Sequence, residues 1–354
     1  MPADPGARLR TGARGASTSV DRPASPDPPT PLTPITERIL SRLGRRRRLW
    51  IVVWALIPLV SPLVYGAAIR LTGDALEPPQ FVDLLATQVV VAWACLVLLW
   101  GGGVLARQAT SVRDELTTRT DAASLSDLFR GIESAAAPIA LAALPALVVS
   151  ANGWLRYGPL PPLAALLPLF AYLVPIVAFV WVYLTILSEL DRLGGHPLVL
   201  DQFPQDRTLG LERIGSLASS GLVFVLAAAV PVLFVGSDEP ATLGVALSIV
   251  AISVGLFLLS MWRLHRQMVK AKAGFIALAR RLYQEAYGPV REATTIEALA
   301  AQATALRAAQ SLEERAQALM TWPINESTLR FIAVVVTGVV TSLVVRGLLG
   351  AMGA

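Results

Sequence analysis

Charge is the scarcest commodity in this sequence. Only 16% of its 354 residues are Asp, Glu, Lys or Arg, against about 25% in a soluble domain. Hydrophobic residues make up 54% and the mean hydropathy is +0.59. That balance excludes an ordinary soluble globule and points to an integral membrane protein. Cysteine is nearly absent too. Cys95 stands alone inside an apolar run, so no intramolecular disulfide can form, and the thiol reads as a small buried hydrophobe. With only His196 and His265 besides, there is little material for a zinc or haem site, and no cofactor is expected. Both lysines, Lys270 and Lys272, lie outside the apolar runs, so no intramembrane lysine is on hand to hold a retinal. A phosphate-binding glycine loop is also missing. Gly215-Ser-Leu-Ala-Ser lacks the glycine spacing of a nucleophile elbow.

What the sequence has is apolar runs. Seven stretches qualify as spans: Trp50–Ile69, Leu84–Leu105, Ala135–Ser150, Leu163–Leu187, Leu217–Val235, Leu243–Trp262 and Phe331–Leu349. A helix of about 20 residues covers the hydrocarbon core. The third is the shortest. Basic residues support the set. With the N-terminus inside, the inner segments hold 10, 4, 3 and 10 Lys or Arg, leaving Arg70, Arg156 and Arg346 outside. Such alternation is the positive-inside pattern. It puts the N-terminus in the cytoplasm, the C-terminus outside, and the protein in the plasma membrane. The expected fold is therefore all-α, a polytopic bundle of seven spans with a cytoplasmic antiparallel helical hairpin between the sixth and the seventh.

The segments follow in order. Residues 1–32 are a Pro- and Arg-rich tail with almost nothing to bury, expected to be disordered. Residues 33–49 read as a basic amphipathic helix at the membrane surface. Pro34 is its first-turn proline, Ile35, Ile39 and Leu43 are its apolar face, and Arg45, Arg46, Arg47 and Arg48 face lipid headgroups. Residues 50–262 form the six-span body. Within it, Leu125, Leu128, Phe129 and Ile132 share a helical face behind a capping Asp121. The loop Ser188–Ser216 alternates leucine, glycine and charge and is expected to hug the inner surface. A metal site built from His196 with Asp191, Asp201 and Asp206 matches no ligand spacing.

Residues 263–327 are the hairpin. From Met261 the apolar residues keep heptad spacing through Leu264, Met268, Ala271, Phe275, Leu278 and Leu282, the seam of a coiled coil. Gly288-Pro289 is expected to end this helix. Thr294 and Glu297 have capping-box spacing, and Leu299, Leu306, Leu312 and Leu319 carry the returning seam. Arg263, Arg266, Lys270 and Lys272 form a basic cluster just inside the membrane, expected to meet lipid headgroups rather than nucleic acid. Trp322-Pro323 marks re-entry, and residues 328–354 hold the seventh span.

These features point to a non-enzymatic scaffold or signal relay that meets a protein partner, or a second copy of itself, through the hairpin. A channel or transporter for a neutral or apolar solute is the alternative, carried by Pro58, Pro62, Pro145, Pro168, Pro175 and Pro231 within the spans. A membrane-embedded enzyme acting on lipid has the least support.

Overall fold

In the computed structural model, residues 31–44, 46–73, 78–119, 127–157, 159–196, 207–231, 240–292, 296–324 and 326–353 are described. Residues 1–30 of the expected tail, Arg45, Asp121, Leu125, Asp201, Asp206 and Thr294 fall outside them. Among the described residues the helical elements run in order: α1 (Ile35–Arg42), α2 (Arg47–Ala55), α3 (Ile57–Leu71), α4 (Pro78–Arg119), a 3-10 turn (Arg130–Glu133), α5 (Ala136–Tyr157), α6 (Leu160–Leu193), α7 (Glu212–Ala229), α8 (Pro240–Glu292), α9 (Ile296–Ala318) and α10 (Glu326–Gly353). No strand occurs among the described residues.

Among the described residues five helices are long and apolar enough to cross a membrane: α2 with α3, α4, α6, α7 and α8. The apolar part of α5, Ala136–Asn152, is shorter. The first span is built from two helices. Pro58 has no N–H to give and its ring crowds the carbonyl one turn back, so α2 stops at Ala55 and α3 restarts at Ile57. Pro168 and Pro175 leave α6 unbroken over 34 residues.

α6 is the hub. It packs on α3, α4, α5, α7 and α8 and also meets α1 and the 3-10 turn. The main core lies toward one end of the bundle. There Leu105, Ala109 and Val112 of α4 meet Phe179, Ile186 and Leu190 of α6, Leu217 and Leu222 of α7, and Phe257, Met261 and Leu264 of α8. Ion pairs close over this end, Arg213 to Glu115 at 3.0 Å and Arg263 to Asp191 at 3.2 Å. Elsewhere the helices expose leucine and valine, for example Leu144, Leu167, Ile252 and Val334, as a lipid-facing surface requires.

Three local features add to the sequence reading or depart from it. First, α1 packs on the bundle by residues other than Ile35, Ile39 and Leu43, the face expected toward the membrane. Its buried residues are Thr36 and Leu40, and Leu43 is exposed. The helix is fastened to the bundle: Arg38 donates to the Glu133 carbonyl, and Glu37 pairs with Arg47 over Gly103 of α4, where any side chain would collide with that pair. Contacts with α2, α4 and α6 decide its orientation, and of these α4 and α6 lie far away in sequence. Second, Leu128, Phe129 and Ile132 are all buried, but through a tight turn with Phe129 at φ 64° and a 3-10 turn, not an α-helical face. The Trp181 indole donates to the Gly131 carbonyl at 2.9 Å and ties this turn to α6. Third, Gly288-Pro289 does not end α8, which runs on to Glu292. A proline this near a helix end forfeits one hydrogen bond, which a kink or fray absorbs.

Candidate functional site: the base of a helical arm

α8 holds 53 residues in one helix, about 80 Å at 1.5 Å per residue. Its first half belongs to the bundle. Its second half runs antiparallel to α9, as three cross-links in descending order show. Arg280 meets Glu313 at 3.4 Å, Lys272 donates to the Gln317 carbonyl at 2.8 Å, and His265 Nδ1 lies 2.7 Å from the Thr321 carbonyl. Buried Ala279, Ala309 and Ala316 let the two backbones approach closely.

The base of this arm, Met261 to Lys272, gathers three other segments. Met261, Leu264 and Met268 are fully buried in the core. On one flank Gln267 donates to the carbonyls of Gly194 and His196, both at 2.7 Å, which satisfies acceptors left open at the end of α6. A side chain at Gly194 would press on Arg263 and the Leu264 backbone. On the other flank the His265 ring stacks on Trp322 with centroids 4.4 Å apart and 24° between planes, while Trp262 lies 5.6 Å away. Lys272 also donates to the Leu319 carbonyl at 2.6 Å, and so serves as a cationic cap for the end of α9. The third segment is the start of α7. The Pro323 carbonyl fills the space beside Gly215, and the Met320 N–H donates to the Arg207 carbonyl at 2.8 Å.

The expected headgroup cations divide. Arg46, Arg48, Arg266 and Lys270 are exposed. Arg47, Arg263 and Lys272 are engaged with Glu37, Asp191 and the end of α9. The expected seam divides as well. Leu264 and Met268 are buried, Phe275, Leu306, Leu312 and Leu319 are half-buried, and Leu278 and Leu282 are 49% and 37% exposed. The Leu299 side chain is outside the described set. A straight α-helix drifts about 20° per heptad from a 3.5-residue repeat. The contact line therefore moves off Leu278 and Leu282 and onto Ala279. His265 is half-buried against Trp322. His265–Trp322, Gly215–Pro323 and Gln267–Gly194 have no local sequence signal, since each joins residues far apart in the chain.

Among the described residues no group of three or more His, Cys, Asp or Glu is placed to hold a metal ion. What the base offers is mechanical: hydrogen bonds, a ring stack and close backbone contact holding one continuous helix to its neighbours. No family model, curated protein or solved structure matches this chain.

Proposed function

We propose that this protein is a membrane scaffold or signal relay, not an enzyme, acting through the α8–α9 arm. One observation carries the reading. The helix that forms the arm also forms part of the bundle core, and the returning segment is fastened to α7 beside Gly215 and at Arg207. A change in how α6 or α7 packs is thereby passed to the arm without a flexible joint.

In this reading the arm is cytoplasmic, α5 and α10 complete seven spans, and the termini lie on opposite sides of the plasma membrane. The distribution of Lys and Arg supports that orientation. The exposed strip of Leu278 and Leu282 supports a helical partner, a second protein or a second copy, since a 3.5-residue seam is the repeat that supercoiled neighbours share.

The test is photo-crosslinking in intact membranes, with the reactive residue at Leu278 or Leu282 and, as a control, at lipid-facing Leu259. A discrete protein adduct from the arm positions alone is expected. Adducts only to lipid, or the same adducts from all three positions, would overturn the reading. Liposomes carrying the purified protein that pass a neutral solute would favour a conduit instead.

A further inference from the structure

A groove of about 420 Å³ opens between α4, α7 and α10, lined by Val104, Ser216, Ser219, Ser220, Val223, Phe224, Ser327, Thr328 and Phe331. Its volume is in the range that small-molecule sites occupy. The order of its lining carries more meaning than its size. α7 starts at the charged end of the bundle and enters it through Ser216 and Ser220, then Val223 and Phe224. α10 does the same through Ser327 and Thr328, then Phe331. α4 runs the opposite way, and Val104 is followed one turn later by exposed Arg107. α7 and α10 thus both pass from hydroxyls near the charged end to aliphatic or aromatic carbon deeper in the groove, and α4 adds the Val104 side chain with the Arg107 cation one turn nearer that end. Ser219 uses its hydroxyl hydrogen on the Ser216 carbonyl at 3.1 Å.

A glycerophospholipid has the same order of parts: phosphate, glycerol esters, acyl chain. Hydroxyl hydrogens match ester carbonyls, which only accept. A guanidinium matches phosphate. The mouth is not uniformly basic. Glu212 and Glu326 are exposed beside it, Arg330 lies 3.4 Å from Glu326, and Arg213 is committed to Glu115. A net-neutral mouth with one arginine suits a single phosphodiester better than a polyanion. α10 touches the rest of the protein only through α7 and α8 among the closer helix pairs, so one wall of the groove is the most loosely held helix of the fold.

We propose that this groove binds one glycerophospholipid of the surrounding bilayer, with its ester carbonyls against the Ser216, Ser220 and Thr328 hydroxyls, its acyl chain along Phe224 and Phe331, and its phosphate toward Arg107. The site is separate from the arm and stands whether or not the arm has a partner.

The experiment is native mass spectrometry of the full chain in mild detergent, titrated with phosphatidylglycerol, its diether analogue and diacylglycerol. One retained phosphatidylglycerol per chain is expected. The diether analogue, without ester carbonyls, should bind about 5- to 20-fold more weakly, corresponding to one or two lost hydrogen bonds. The double variant Ser216→Ala/Ser220→Ala should fall by a similar factor with phosphatidylglycerol and keep a smaller preference for ester over ether, carried by Thr328. Arg107→Gln should erase the preference for phosphatidylglycerol over diacylglycerol while keeping the preference for ester. Size-exclusion profiles matching the parent protein establish that the variants fold. A statistical ladder of adducts that none of these changes moves would overturn the proposal, as would ester and ether binding equally well to the parent protein.

Discussion

The carbonyl of Pro323 lies where a side chain on Gly215 would have to go. The two residues are over one hundred positions apart, yet their contact sets how closely the re-entry corner after α9 approaches α7. Both are buried. Gly215→Ala should therefore push the corner away. Overpacking of this kind costs about 1–3 kcal/mol. A lower thermal midpoint in detergent is expected, along with faster proteolysis near residue 320. An unchanged midpoint would mean that the corner does not sit against α7.

The His265–Trp322 stack should behave as a coupled pair. Aromatic pairs add about 0.5–1.5 kcal/mol beyond the area they bury, and His265 also bonds the Thr321 carbonyl. His265→Ala and Trp322→Leu should each loosen the arm. Together they should cost less than the sum of the two, the sign of a shared contact. Hydrogen exchange across 262–272 and 318–324 measures this directly, and strict additivity would show that the rings do not meet.

The position of the seam has its own test. Met268→Ala removes a fully buried side chain and should cost about 2–5 kcal/mol. Leu278→Ala touches an exposed one and should stay within about 0.5 kcal/mol in the isolated protein. Equal losses would place Leu278 within the α8–α9 contact.

Orientation is checked with single cysteines in a Cys95→Ser background, one at Gly288 and one at Ala354. Cys95 is buried, so its replacement removes background labelling. Seven spans require an impermeant maleimide to label one of the two from each side of the membrane. Labelling of both from the same side would refute the odd number of crossings.

Five of the expected spans were legible because hydrocarbon imposes a length and a composition, and runs such as Leu163–Leu187 carry both in a single local stretch. Where α8 continues past Trp262 was legible for the same reason, since nothing there interrupts a helix. Facing was harder. Leu278 and Leu282 keep a heptad spacing that the straight helix does not follow, and Leu40 rather than Ile39 is buried because α4 and α6 choose the face of α1. In the groove, the step from Ser220 to Phe224 and from Ser327 to Phe331 is visible in the sequence as a four-residue spacing. That both steps meet Val104 is not, because nothing local records which helices become neighbours.

The unbroken course of α8 sets a ratio between cause and effect. From Met268, the last fully buried core residue of the helix base, to Glu292 the helix continues for about 36 Å. A tilt of about 5° at the buried end would sweep the far tip through about 3 Å by simple geometry on that length. Repacking too small to open a pathway through the bundle would thus be amplified along the rod into a displacement of ångström size at its tip.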